Sequence, residues 1–362
     1  VKRGLLALVG CALLAAAPAA AQQMSVDEAQ DVLRTLVETY GPSGAEGPVR
    51  EAITKLLPKG LKTSTDTAGN LWARFGSGGP TLVFVAHMDE IGWRVTGIND
   101  DGTLAIARLG GFFPSLYEGR PALIHTARGP VSAVFTPRDS IGRNPEHTPP
   151  AFRVDPGTGS RAGTAALGIA VGNTVTMPKS YQRLAGTRAT GRSFDDRVGC
   201  TALILAARRL AEHPPSHTVI LIWSVREEVG LEGAEAAAHA LGDSATRVHA
   251  VDTFVSADGP LELTAYGLAP LGEGAVVRAI DNSNVAPRAL VDSVLALAKV
   301  RHIPLQYGAT SGGNDGSVFA PWGVPDIPLS WPLRYSHSPA EVVDLTDVVA
   351  LGELVEALSN TW

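Results

Sequence analysis

The stretch that most constrains the fold is residues 217–230, HTVILIWSVREEVG. Val219, Ile220, Leu221, Ile222 and Trp223 form a continuous apolar run rich in β-branched and aromatic side chains. Such a run suits a central strand buried on both faces of a parallel sheet. It ends in two adjacent carboxylates, Glu227 and Glu228, followed by Gly230. Ligands in open α/β sheets bind beyond the carboxyl ends of the strands, so one of these acids can hold a metal ion while its neighbour moves a proton. Adjacent glutamates are also ordinary surface residues, and the reading depends on whether the chain supplies partners at the same sheet edge.

Other segments have the pattern of such a sheet. Ser25-Val26-Asp27-Glu28 is a capping box. The helix it starts places Val32, Leu33, Leu36, Val37 and Tyr40 on one face and stops at Gly41-Pro42. A second helix spans about 46–57, and residues 63–74 read as a hairpin with Gly69-Asn70 near its turn. Residues 81–86 form a second buried strand, ending in His87-Met88-Asp89-Glu90-Ile91-Gly92. From about Val95 the character changes: short strand-like runs at 103–107, 122–126, 131–135 and 171–177, a Pro-rich connection, and no long helical pattern before Gly191. After Gly191 the α/β alternation resumes, with helices at about 198–210, 231–241, 287–300 and 345–358 and a strand at 248–256 carrying Asp252. The expected fold is α/β, a mixed but largely parallel central sheet flanked by helices. The chain divides into catalytic part 22–94, an inserted β-rich segment 95–190 and catalytic part 191–362.

The 362 residues are 45% hydrophobic, enough for a sizeable core. Lys2-Arg3, an apolar run from Gly4 to Ala17 and Ala19-Ala20-Ala21 make a signal peptide, expected over 1–21 and cleaved after Ala21, with a periplasmic or secreted product. Leu8-Val9-Gly10-Cys11 offers a less favoured alternative, a lipid on Cys11. The net charge is −6, and without Lys2 and Arg3 the mature part is more acidic still; with no basic cluster, this argues against nucleic acid. Beyond the leader no segment is long and apolar enough to span a bilayer. Cys200 is then the one cysteine left, so no intramolecular disulfide is expected, and its apolar helical surroundings mark it as packing.

His87, Asp195-Asp196, Glu227-Glu228, Asp252 and His337 fall at predicted strand ends or helix starts. Each has a plain alternative: Asp195 or Asp196 can cap the next helix, Asp252 can face solvent and His337 can be a turn residue. Their placement at one sheet edge favours a joint role. Histidine and carboxylate are zinc-type ligands, and two metals about 3.5–4 Å apart need a bridging carboxylate with an oxygen nucleophile between them. Ser311-Gly312-Gly313-Asn314-Asp315 is Gly-rich but lacks the P-loop lysine; Asp315 can shape a pocket or a turn. The remaining histidines read as structural.

The chain resembles the glutamyl aminopeptidase/tetrahedral aminopeptidase family of dinuclear-zinc exopeptidases. The resemblance runs from about Ala29 to the C-terminus. It is carried by His87-Met88-Asp89-Glu90-Ile91-Gly92, Asp195-Asp196-Arg197-Val198-Gly199, Glu227-Glu228-Val229-Gly230-Leu231, Asp252 and His337-Ser338-Pro339. It implies an α/β catalytic domain interrupted by a small β-barrel or PDZ-like domain used in homo-oligomeric assembly. It also implies two divalent ions, zinc with cobalt or manganese as substitutes: one on His87, Asp195 and Asp252, the other on Asp195, Glu228 and His337, with Asp195 bridging. Glu227 is then the general base, Asp89 orients His87, and the Asp195–Asp196 peptide is cis. The implied activity is hydrolysis of N-terminal residues from unblocked peptides, a metal-bridged water attacking the carbonyl after giving its proton to Glu227. A carboxypeptidase or deacylase using the same centre, or a non-catalytic exported metal- or peptide-binding protein, are the alternatives. The export leader departs from the family, whose members are usually cytoplasmic.

Overall fold

A computed structural model describes residues 24–138, 151–259 and 267–361. The expected signal peptide, Cys11 and most of the Pro-rich connection lie outside these residues. The chain begins with α1 (Val26–Val37) and α2 (Gly47–Leu56), then β1 (Thr63–Thr65), β2 (Leu71–Phe75) and β3 (Thr81–His87). Ser25 Oγ accepts the Glu28 amide at 3.1 Å, as a capping box requires.

The next strands are β4 (Gly92–Ile98), β5 (Leu104–Leu109), β6 (Pro121–Thr126), β7 (Gly129–Phe135) and β8 (Arg153–Asp155); after the short α3 (Arg161–Ala166) comes β9 (Thr174–Thr176). They close into a barrel in the order β4-β5-β8-β7-β6-β9, antiparallel at every step. Closure removes the exposed edges that short strands would otherwise leave. Its core is aromatic: Phe112 and Tyr117 each stand edge-on to Trp93, at 4.7 Å between ring centroids.

The chain returns through β10 (Gln182–Arg183) and β11 (Arg188–Gly191) to α4 (Phe194–Glu212), β12 (Thr218–Ser224), α5 (Glu232–Leu241) and β13 (Arg247–Ala250). Then come β14 (Phe254–Val255), β15 (Ala275–Ile280), α6 (Arg288–Arg301), β16 (Leu305–Ala309) and a 3-10 segment, Asp315–Trp322. The last elements are β17 (Leu329–Ser330), β18 (Pro332–Leu333), β19 (Glu341–Asp344) and α7 (Leu345–Ser359).

The central sheet runs β1-β2-β12-β3-β13. All seven residues of β12 are buried, as its apolar run requires. One face of the sheet packs on α4, which is buried on nearly every side between the sheet, α1 and α7. On the other face Val83, Val85, Ile220 and Ile222 meet Ala237 and Ala238 of α5 and Phe319. The expectation of a largely parallel sheet is corrected. β12 and β13 pair parallel to β3, whereas β2 pairs antiparallel to β12 and to β1. Parallel pairing needs a crossover, and β1 and β2 are joined by a tight turn. A continuous apolar run reports burial on two faces and is silent on direction. The single strand expected over 248–256 also divides: β13 ends at Ala250, and β14 pairs with β18 outside the central sheet. The bend between them carries Asp252.

The two chain crossings between body and barrel converge on Glu90, which is fully buried. Its carboxylate lies 2.7 Å from Lys179 Nζ, 3.0 Å from Arg192 Nη1 and 3.5 Å from Arg197 Nη2, and accepts the Gly41 amide at 2.8 Å and Ser193 Oγ at 2.6 Å. Glu90 precedes the barrel, and Lys179 and Arg192 follow it.

Candidate metal centre

The parallel register of β3 and β12 sets His87 beside Ser224, so both strands end at the same level. The loop after β12 therefore brings Glu227 and Glu228 to the edge where β3 delivers His87. Asp195, at the cis Asp195–Asp196 peptide that starts α4, reaches the same point. His87 Nε2 lies 3.0 Å from Asp195 Oδ1, and His337 Nε2 lies 3.4 Å from Asp195 Oδ2, so one carboxylate turns an oxygen to each histidine. Two triads result, His87–Asp195–Asp252 and Asp195–Glu228–His337, the ligand atoms of each within 4.8 Å of one another. Glu227 stands beside them, its Oε2 3.8 Å from His87 Nε2. Glu228 Oε1 lies 3.3 Å from His337 Nε2 but is buried without a hydrogen bond.

The supports are as specific as the ligands. Asp89 Oδ1 accepts the Glu227 amide at 3.0 Å, and Oδ2 accepts the Glu228 amide at 3.2 Å and Ser43 Oγ at 2.6 Å. His87 Nδ1 sits 3.2 Å from the Asp89 carbonyl and 3.4 Å from its carboxylate. Asp89 thus fixes both glutamates as well as the imidazole. Asp196 accepts the His87 amide at 2.9 Å and also the Gly199 amide at 2.8 Å, so it caps α4 while holding the strand end. His337, at φ 58°, gives its amide to Glu341 Oε1 at 3.0 Å, and its Nδ1 lies 2.6 Å from the Gly111 carbonyl. Tyr117 donates to the His337 carbonyl at 3.1 Å. Gly111 and Tyr117 belong to the barrel loop after β5, so the insert orients a residue of the centre. Gly110 must lack a side chain there: a Cβ would lie 2.5 Å from Ile91 and 3.1 Å from Glu228 Oε2.

Burial pushes the Glu227 carboxyl well above the usual carboxylate range, and the charges of Asp252, Glu228 and Asp315 add to this against His87. Burial and Asp195 raise Asp252 to about 7. Burial works against protonation of both histidines, but Glu227, Asp195 and Asp89 hold His87 high, and Glu228 and Asp195 hold His337 high. An unshared acceptor on Glu228, a carboxylate split between two imidazoles and this crowding of buried acids fit divalent cations.

Every residue expected from the sequence for the centre lies at this one edge. Gly111, Ser43, Glu341 and Arg278 were not anticipated. Glu341 had a faint signal, four residues after His337; the others are brought in by tertiary packing. Arg278 is buried: Nη1 donates to the Thr253 carbonyl at 3.0 Å, Nη2 to those of Ser311 and Gly313 at 3.2 and 2.8 Å, and the guanidinium forms ion pairs with Asp281 at 2.8 Å and Asp252 at 3.6 Å. It lines a cavity of about 470 Å³ that opens onto both triads. Asp315 is buried and hydrogen-bonded to Ser224 behind Glu227.

An α/β body with two His–carboxylate triads sharing one aspartate, opening into a peptide-sized cavity, has the make-up of a metal-dependent hydrolase. The M42 glutamyl aminopeptidase family model matches residues 69–354, and the chain belongs to that family, as a metallo-aminopeptidase. It is 30% identical to the lysyl aminopeptidase of Pyrococcus furiosus over 340 residues, 91% of this chain and 96% of that one. It is 28% identical to the glutamyl aminopeptidase of Lactococcus lactis subsp. cremoris, covering 91% of this chain and 95% of the relative. The solved TET1 peptidase of Pyrococcus horikoshii, described as able to assemble into a tetrahedron or a large octahedral shell, superposes with a TM-score of 0.85 at 32% identity, over 92% of this chain and all of that one.

Proposed function

We propose that this chain is an exported dinuclear aminopeptidase in which Glu227 is the general base. The observation that carries the reading is Asp195, with one oxygen toward each histidine. His87, Asp195 and Asp252 would hold one ion and Asp195, Glu228 and His337 the other, with zinc the expected metal. When bound, the pair supplies Lewis acidity, lowering the pKa of water and offsetting charge on the carbonyl oxygen. Glu227 takes the proton of the attacking water and returns it to the departing amine, a task suited to a carboxyl held above its ordinary range. Asp89 fixes the main chain from which both carboxylates extend by accepting the amides of Glu227 and Glu228.

A carboxypeptidase would need a free cation for the substrate carboxylate. Arg278 is the arginine lining the cavity among the described residues, and its charge is already paired with Asp281 and Asp252 while both Nη atoms hold main-chain carbonyls. This favours release of N-terminal residues. The similarity to the P. horikoshii peptidase supports a homo-oligomer as part of the same proposal.

Glu227→Gln and Glu228→Gln separate the two roles. Glu227→Gln should retain metal and lose about 10²–10⁴-fold or more in kcat on unblocked peptides. Glu228→Gln should lose metal and activity together. Retention of metal by Glu228→Gln with its loss from Glu227→Gln would exchange the assignments. A wild-type protein that hydrolyses N-acetyl peptides but no unblocked ones would overturn the aminopeptidase reading.

A further inference from the structure

A second cavity, of about 240 Å³, adjoins the first, sharing Gly111, Val255, Ser336 and His337 with it. The rest of its wall is Phe112, Phe113, Leu116 and Tyr335. Phe113 is 76% exposed and Leu116 43% exposed. They are not loose: Phe112 and Tyr117, on either side of them in the chain, are buried edge-on against Trp93 in the barrel core. The barrel therefore presents two large apolar side chains to water beside a metal ligand. Apart from His337, no wall residue of this lobe carries a charge among the described residues.

The first cavity differs in holding the acids of both triads. Beyond the triads its wall includes Arg278, 2% exposed, whose guanidinium holds the main chain of Ser311 and Gly313 in place. A substrate that loses its first residue has nothing before that residue, so the cavity over the triads need receive only that residue. The rest of the peptide continues past the scissile bond and needs an open path. The lobe walled by the exposed Phe113 and Leu116 offers one, and an apolar wall there favours an apolar side chain.

We propose that the lobe formed by Phe113, Leu116 and Tyr335 binds the side chain of the residue just after the scissile bond, so that the enzyme selects peptides with an apolar or aromatic second residue. This rests on the aminopeptidase reading and goes beyond it, since it assigns selectivity to the leaving side.

Two peptide series test it, Leu-X-Ala with X varied among Phe, Leu, Ala, Asp and Lys, and X-Ala-Ala with the first residue varied. Wild type should favour Phe or Leu over Asp at the second position by about 10–200-fold in kcat/KM, the range that hydrophobic pockets achieve. Phe113→Ala, an exposed position whose change should leave thermal unfolding untouched, should cut that preference to a few-fold. Its ranking of first residues should match wild type; Leu116→Ala should act in the same direction. The proposal is overturned if wild type is indifferent to the second residue or if Phe113→Ala reorders the first-residue series. It is equally overturned if Phe113→Ala changes the native mass and leaves second-residue preference intact, which would make the lobe a contact between copies. Failure of wild type on every unblocked peptide is a separate result, directed at the aminopeptidase reading itself.

Discussion

Asp89→Asn replaces a single oxygen at the point where the two glutamates and His87 meet. The wild-type carboxylate is acceptor-only and fully buried, and it serves Ser43 Oγ and the amides of Glu227 and Glu228 at 2.6, 3.0 and 3.2 Å. Asparagine keeps one acceptor oxygen and turns an NH2 toward the other amide. The Ser43 hydroxyl can rotate to accept, but a main-chain N–H cannot. One buried donor is then unmatched, which costs about 1–3 kcal/mol. If the loop moves to relieve it, Glu227 or Glu228 leaves its place, and the same energy appears in kcat/KM as a loss of about 5- to 150-fold, at roughly 1.4 kcal/mol per tenfold. The His87 contribution should be smaller, because Nδ1 also has the Asp89 carbonyl at 3.2 Å, which the substitution leaves intact. The assay is kcat/KM on a leucyl anilide with saturating zinc, alongside metal content and the urea midpoint. A folded, metal-replete Asp89→Asn enzyme with wild-type kcat/KM would refute the reasoning, because the two amides would then not depend on the carboxylate.

Two further outcomes are expected. Burial raises the Glu90 carboxyl, but Lys179, Arg192 and Arg197 outweigh this and hold it well below its ordinary 4.5. Its stabilisation is therefore complete above about pH 4.5 and lost as pH falls through the lower folded value. Glu90→Gln should cost about 3–5 kcal/mol at pH 7 by stranding buried cations, and urea melts should show its gap from wild type narrowing below pH 4.5; a gap independent of pH would contradict the assignment. For the proposed export, protein recovered outside the cytoplasm should begin at Gln22 by mass spectrometry, and a lipid-modified Cys11 would reject that cleavage.

Burial is the property most plainly written in this sequence. β12 lies between two layers, so its run from Val219 to Trp223 is apolar throughout, and β3 reads the same way for the same reason. Because strand ends carry the chemistry, His87 and Glu227-Glu228 could be picked out as soon as the runs were found. Direction was not legible, since a strand covered on both faces looks alike whether its neighbour runs with it or against it. That is why β2, arriving from a hairpin, reversed the expected pairing on one side of β12. Contacts made to the main chain were equally hidden. The amides of Glu227 and Glu228 on Asp89, and the Gly111 carbonyl on His337, involve atoms that every residue has, and only the tertiary fold selects them.

The inserted barrel reaches the centre partly through such a main-chain contact. In sequence it is a change of texture, short strands in place of long apolar runs, and the resemblance implies a role in assembly. In the folded chain its loop after β5 supplies the carbonyl facing His337 Nδ1, the hydroxyl on the His337 carbonyl and the side-chain-free Gly110 against Glu228. The loop holds these positions because Phe112 and Tyr117 anchor it in the barrel core on Trp93. Glu90, gripping Lys179 and Arg192 beyond the last barrel strand, ties the barrel to the body that carries the other ligands. The geometry of His337 therefore depends on packing inside the barrel and on the buried charges at its base, and a core change at Trp93 would reach the centre through the same loop that exposes Phe113.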